Sequence, residues 1–278
     1  VPVRILGEQK MRPFDERDYT DLQWTEMSWV ELERAAVERR IALLPLGSIE
    51  QHGPMLPVGC DHFLARTWSL EGARRARDEH GVPVVVLPAI PYGRATQHMD
   101  FPGTISLSLD TYLRLLEDIV REVIRAGFRK IVCVSGHGGN YGPAEAALRD
   151  LSGRLKGEGV GGVRFYLADN ANCFTRAGEI YGKMKQGQFN FHADACETSY
   201  YLFHRPDLVK EEGMVRPTVK RDGKPLHLDW FTERDLTESG ASGDPTRANA
   251  DYGELSYDYF TGAIAEFLKK VWDEQIDG

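Results

Sequence analysis

The sequence predicts an α/β fold built on a mainly parallel sheet. Four short apolar runs, Ile41 to Leu46, Pro83 to Leu87, Lys130 to Val134 and Val163 to Ala168, have the length and side chains of buried strands. Stretches of helical period lie between them, and strands alternating with helices make βαβ units with a parallel sheet. Three of the runs are followed at once by residues of unusual chemistry, at the strand ends where open parallel sheets bind ligands.

Residues 1 to 25 carry no clear period and read as an arm over the surface or onto a neighbouring subunit, with 26 to 278 as a single domain. Ser28 is placed to cap a helix over Val30 to Arg40, and Glu31 completes a capping box. After the first strand, Gly47 opens a loop rich in Gly and Pro that holds Glu50, His52 and Asp61. A helix follows from about His62 to Asp78. The second strand stops at Pro88, and its loop carries Arg94, His98 and the segment Phe101-Pro-Gly-Thr. Asp110 is placed as the N-cap of a helix in which Leu113, Leu116, Val120, Val123 and Ile124 keep the helical period, and Gly127 stops it. The third strand leads straight into Ser135-Gly-His-Gly-Gly-Asn140, and Pro143 suits the first turn of a helix through Leu151. Ala193 to Phe203 and Tyr259 to Trp272 read as further helices. No repeat, low-complexity tract or linker marks a second domain. Lys210 to Asp244 is the one long irregular stretch, a candidate lid or subunit contact.

A chain of 278 residues is long enough for one large α/β domain with a substantial core. A net charge of -8 without a basic run argues against a nucleic-acid partner, because phosphate binding needs clustered Lys and Arg. No apolar stretch approaches the roughly 20 residues that span a bilayer. Val1 to Leu22 is charged and lacks the apolar region of a signal peptide, so the expectation is a cytoplasmic protein with no membrane partner. Cys60, Cys133, Cys173 and Cys196 show no CxxC spacing and describe neither a zinc ribbon nor a disulfide framework. Cys133 reads as a buried small hydrophobe.

An imidazole and two carboxylates just past a strand suit a borderline divalent metal such as Zn2+ or Mn2+. Glu50 and His52, two apart, point the same way in extended backbone, and Asp61 is brought back by a turn punctuated by Gly53, Pro54, Pro57 and Gly59. A polar surface loop that happens to hold a histidine fits the same residues. His137 follows the third strand, and His192-Ala-Asp-Ala-Cys-Glu197 begins a helix. Five of the 8 histidines, His52, His62, His98, His137 and His192, lie in these joints, whereas His80, His204 and His227 read as surface residues. The glycines around His137 fit a tight strand-to-helix turn, or bare backbone that lets a substrate or metal approach closely. The ligand-type side chain in their midst favours the second.

Together Gly47-Ser-Ile-Glu-Gln-His-Gly, Asp61, Phe101-Pro-Gly-Thr, Gly136-His-Gly-Gly-Asn, Glu197-Thr-Ser and Gly243-Asp-Pro resemble the creatininase (creatinine amidohydrolase) family, from about residue 26 to the C-terminus. The resemblance implies an α/β-α sandwich with a parallel sheet and a strand-end site for two divalent ions. Zinc is the first expectation, with manganese or iron(II) as alternatives. It also implies hydrolysis of a C–N bond in a small molecule and a homo-oligomer, commonly a hexamer. By the same resemblance Glu50 and His137 would bind one metal, His52 the other, and Asp61 would bridge them. Creatininase proper follows its histidine at the His137 position with Tyr and a metal-binding Glu. Gly138 and Gly139 stand here instead, so Glu197 becomes the further carboxylate, as in family members that carry the same glycines. Creatininase proper also places tryptophans just before the His192 position, where this chain has Gln188, Phe189, Asn190 and Phe191. That departure argues against creatinine itself as substrate.

The chemistry these expectations describe is a water shared by two metal ions and available as hydroxide near neutrality. One metal would stabilise the oxyanion formed on attack. His192 would carry a proton to the leaving nitrogen, and Arg94, His98, Gly138 and Gln188 are the candidates for binding substrate. The same hydroxide would serve to cleave a C–C bond in a β-diketone such as an oxidised inositol of the 3-dehydro-scyllo-inosose type, or to process a small peptide. A metal-binding scaffold without turnover is the alternative from another class.

Overall fold

The computed structural model describes residues 11–183, 192–218, 220 and 231–275. Four strands, β1 (Ile41–Leu46), β2 (Val84–Val86), β3 (Lys130–Ser135) and β4 (Arg164–Ala168), pair in the order β2-β1-β3-β4, all parallel. Parallel neighbours need crossovers. These are α2 (Cys60–His80), α3 (Leu109–Arg125) and α4 (Tyr141–Gly157), and α1 (Trp29–Val37) precedes the sheet. The short helices α5 (Ala177–Lys183), α6 (Ala195–His204) and α7 (Glu233–Leu236) and the long closing helix α8 (Ala250–Asp273) follow it.

Strand side chains alternate between two cores. Ile41, Leu43, Val84, Val86, Val132 and Val134 meet α2, α6 and α8, whereas Ala42, Leu44, Val85, Ile131 and Cys133 meet α1, α3 and α4. The result is the expected α/β-α sandwich. β1 and β3 are neighbours, but the helices that follow them, α2 and α4, pack on opposite faces. A crevice therefore opens between the carboxyl ends of these two strands.

Several elements differ from the sequence reading. The Ser28 capping box forms, with Glu31 accepting from the Ser28 N–H at 2.8 Å. Asp110, in contrast, is not a cap. Ser108 has the extended backbone and accepts from the Thr111 N–H, which puts Asp110 inside the first turn. α2 begins at Cys60, so Asp61 belongs to a helix and not to the preceding loop. α8 begins nine residues before Tyr259, capped by Asn249. The added turns hold Gly253, where a Cβ would lie 2.0 Å from the Ser199 carbonyl of α6, a contact between helices that periodicity does not report.

His204 is buried, not a surface residue: its Nδ1 accepts from the Phe14 N–H at 2.9 Å, and Tyr200 and Tyr257 flank the ring. Burial pushes its pKa down to about 3. The cover comes from residues 11–25, which also place Tyr19 and Leu22 in the core. The Leu22 carbonyl accepts from the Val86 N–H at 2.8 Å, so this stretch closes the open edge of β2. His227 lies outside the described residues. No helix among the described residues is long and apolar enough to cross a membrane.

The cap assignment is testable. Ser108→Ala should cost about 1 kcal/mol in a urea melt, whereas Asp110→Ala should cost only a few tenths through the helix dipole. Equal losses would return the cap to Asp110.

Candidate metal centre

The crevice between β1 and β3 is lined by charged side chains that the fold removes from water. Past Leu46 the chain turns away at Gly47, where a Cβ would lie 2.7 Å from the His62 Cα of α2. Ser48 donates to Glu50 Oε2 at 2.8 Å and aims that carboxylate into the crevice. His52 Nδ1 faces the Glu50 carbonyl oxygen at 3.1 Å. A carbonyl accepts only, so in the neutral ring Nδ1 carries the proton and Nε2 is bare. Nε2 lies 3.2 Å from Asp61 Oδ1 and 3.8 Å from Glu197 Oε2.

β3 supplies the opposite wall. Ser135 Oγ accepts from the His137 N–H and donates to the His137 carbonyl, locking the backbone of the turn. His137 Nε2 donates to the Arg94 carbonyl at 2.8 Å. Its bare Nδ1 then faces Glu50 Oε2 at 3.0 Å and Asp61 Oδ2 at 3.1 Å. Asp61, in the first turn of α2, thus shows one oxygen to His52 and the other to His137. Ligand atoms from Glu50, Asp61 and His137 lie within 4.8 Å of one another; so do those of His52, Cys60 and Asp61, and those of His52, His192 and Glu197.

Glu50, His52, Asp61 and His137 are all at most 5% exposed. Two bare imidazole nitrogens each facing carboxylate oxygens repel unless a positive charge lies among them. Consistent with this, the buried atoms His52 Nε2 and Asp61 Oδ2 make no hydrogen bond. A donor set of imidazoles and carboxylates in this state fits a divalent cation such as zinc or manganese.

The electrostatics say the same. Burial lowers the His137 pKa, but Glu50 and Asp61 outweigh it and hold it well above the usual imidazole value. Burial likewise opposes His52, and Cys60, Asp61 and Glu197 raise it well above. Asp61 is held below the usual carboxylate range, because His52 and His137 overcome its burial. Glu50 is raised by burial and then by Asp61. His192 goes the other way: burial first, then His98 and His52, push it well below the usual value.

His192 and His98 form a second layer. His98 Nε2 is 3.2 Å and His192 Nδ1 3.7 Å from Glu50 Oε1, and their ring centroids are 4.2 Å apart. The His192 carbonyl accepts from the Ser242 and Gly243 N–H groups, both at 3.1 Å, so the Gly243-Asp-Pro segment is its support. Ala193 adopts φ +50°, a strained conformation for a residue with a side chain, and its N–H donates to Glu197 Oε2 at 2.7 Å. Asp194 caps α6.

Arg94 Nη1 donates to the Leu107 carbonyl, and the Arg94 carbonyl accepts from His137 Nε2. One expectation is corrected here. The bare backbone at Gly136 and Gly139 admits protein, not ligand. A Cβ at Gly136 would lie 2.2 Å from the Asp61 carbonyl, and one at Gly139 would meet the Arg94 carbonyl and His137 Nε2, where the orienting hydrogen bond runs. Gly138 alone is open on that side. Gln188 lies outside the described residues. Sequence reasoning also missed Gln51, Ser48 and Asn140. Asn140 ties Arg94 to Gly47, accepting from one N–H and donating to the other's carbonyl. Gln51 was legible only as the residue between two candidate ligands.

The raised pKa values of His52 and His137 favour protonated rings when no cation is bound, and a cation held there would displace those protons. The stability these imidazoles contribute without metal is full below their ordinary value of 6.5 and is lost as pH rises through their raised values. Zinc affinity should strengthen across that window. Calorimetry at about pH 7 should show a zinc-binding heat that changes with buffer ionisation enthalpy, reporting release of about one to two protons. A buffer-independent heat would contradict this protonation state.

Comparison with known proteins agrees with this geometry. The family model described as creatininase, creatinine amidohydrolase, matches residues 25–268. The mycofactocin precursor peptide peptidase of Mycobacterium tuberculosis (strain CDC 1551 / Oshkosh) is 30% identical over 253 residues, covering 85% of this chain and 87% of that protein. The creatinine amidohydrolase of Pseudomonas putida is 33% identical over 194 residues, 66% of this chain and 71% of that protein. A creatininase crystal structure shares the fold with a TM-score of 0.81 at 23% identity, covering 91% of this chain and 99% of that one. Creatininases solved in Zn–Zn and Mn forms have the same fold, with TM-scores of 0.80 and 0.79. With its strand-end cluster of buried acids and imidazoles, this chain belongs to the creatininase family of hydrolases.

Proposed function

We propose that this protein hydrolyses the amide C–N bond of a small polar molecule or short peptide, using two divalent ions, zinc in the first instance. Glu50 and His137 would hold one ion, His52 and Glu197 the other, with Asp61 shared. The observation that carries this reading is the Asp61 carboxylate, whose two oxygens face two different bare imidazole nitrogens. Divalent cations held there supply Lewis acidity toward a carbonyl and a water acidic enough to act near neutrality.

The rest is the work of side chains. Glu50 and Asp61 balance positive charge in a place that excludes bulk water. His192, kept neutral by burial, accepts a proton and passes it to the leaving nitrogen. His98, against Glu50 and beside His192, orients the polar end of the substrate, with the open backbone of Gly138 as a further contact. A peptide bond is the narrower reading, favoured by the mycobacterial relative whose name is that of a peptide peptidase. Creatinine is disfavoured, since Gln188 to Phe191 contain no tryptophan. The family likeness also supports a homo-oligomer, and light scattering at working concentration should return a multiple of the monomer mass; a monomer would refute that part.

The reading is tested by loading the protein with zinc or manganese and screening cyclic amides, formamides, short peptides and keto-inositols. Turnover of an amide is expected, whereas turnover of keto-inositols alone would replace it with C–C cleavage. Asp61→Asn should lose both metal and activity. His192→Ala should keep its metal while kcat falls by roughly 10²–10⁴, the usual worth of a positioned acid or base. Equal metal loss in both variants would make His192 a ligand and end this division of roles.

A further inference from the structure

We propose that Gln51 is a positioning residue that sets the tautomers of His98 and His192, turning both ring N–H groups toward Glu50. Gln51 stands between two expected ligands and is 5% exposed. Its side chain lies among three loops: the one after β2, the one before α6, and the one around Gly240.

The orientation of its amide follows from the two backbone groups beside it. Oε1 accepts from the Gly53 N–H at 2.9 Å, and Nε2 donates to the Gly240 carbonyl at 2.9 Å. The reverse orientation would oppose two oxygens on one side and two N–H groups on the other. Gly240 is required for this fit, since a Cβ there would come within 2.0 Å of Oε1.

An amide nitrogen donates and does not accept. Nε2 lies 2.9 Å from His98 Nδ1 and 2.9 Å from His192 Nε2. A proton on either ring nitrogen would meet the amide hydrogens head-on. Two hydrogens serve three neighbours, but whichever two are bonded at a given moment, all three neighbours must be acceptors. Both ring nitrogens are therefore bare. Each neutral imidazole then carries its proton on the far nitrogen, His98 on Nε2 and His192 on Nδ1. These face the same atom, Glu50 Oε1, at 3.2 and 3.7 Å.

One side chain thus divides the work of Glu50. Oε1 faces both imidazole N–H groups, that of His98 within hydrogen-bond reach and that of His192 just beyond it, and Oε2 is left to Ser48 and the His137–Asp61 side of the crevice. These tautomers stand independently of the hydrolytic reading above.

The test is a long-range proton–nitrogen NMR spectrum of zinc-loaded protein labelled with 15N-histidine, with resonances assigned by their loss in His98→Asn and His192→Asn. His98 Nδ1 and His192 Nε2 should resonate downfield as bare nitrogens, with the opposite nitrogen of each ring upfield. In Gln51→Met, similar in bulk but without a donor, the two nitrogens of each ring should move toward an averaged position while zinc content is unchanged. A wild-type proton on His98 Nδ1 or His192 Nε2 overturns the proposal, and so does a Gln51→Met spectrum identical to wild type. If Gln51→Met fails to fold, the wild-type spectrum still decides. Fixed tautomers in a protein that hydrolyses nothing in the amide panel would support this assignment and count against the hydrolytic reading. Loss of amide turnover in Gln51→Met with unmoved tautomers would do the reverse.

Discussion

Burial of the Asp61 carboxylate between two imidazoles is the constraint on which the centre of this molecule depends. A buried charge left without its partner costs about 3–5 kcal/mol, and a domain of ordinary stability has about 5–15 kcal/mol in all. Asp61, Glu50, His52 and His137 all lie in one crevice with little or no exposure. The fold can hold such a cluster only when every member is faced by opposite charge, from protons on the imidazoles or from cations in their place. The hydrogen bonds of His52 and His137 keep that balance by aiming a lone pair inward and sending a proton outward to a carbonyl.

The chain achieves this aim largely through main chain. The Glu50 carbonyl orients His52 and the Arg94 carbonyl orients His137. Backbone is a good orienting partner because a carbonyl accepts but never donates, so it selects one tautomer without competing for the cation. The glycines of the third strand-end loop follow from the same need. Gly136 lets the first turn of α2 pack against the end of β3, which brings Asp61 beside His137, and Gly139 clears the path of the His137–Arg94 bond. Close packing of protein against protein is thus the reason for these glycines, and it is also what places the candidate ligands.

A second layer repeats this logic with side chains. His98 and His192 lie against each other beside Glu50, their rings tilted by 40°, and residues 240–243 hold them from the far side through Gln51 and the His192 carbonyl. Thr232 and Arg234 bond Asp100, two residues after His98, so the described part of the long irregular stretch also leans on the loop after β2. The polar segment that lacks periodicity is built into the functional site at several points.

Much of this was legible in the sequence because it is local. Period and composition separate strands from helices, since alternation and the 3.6-residue repeat are short-range properties. Gly127 and the Ser28 capping box are read over a few residues for the same reason. The candidate ligands Glu50, His52, Asp61 and His137 were legible too, because a parallel sheet delivers loop residues to one edge whatever the details. What failed depends on contacts distant in sequence. Asp61 joined a helix, His204 was covered by residues 11–25, and α8 began early against α6 at Gly253. The Arg94 carbonyl orients His137 from 43 residues away, which no local signal reports. Gln51 shows the limit most plainly. Its own loop says only that an amide stands between two ligands, and its partners lie 47, 141 and 189 residues away. The sequence by itself determined the architecture and the chemical types of the donors. Only the tertiary structure decided which nitrogen of His137 turns inward, because that depends on where a remote backbone carbonyl comes to rest.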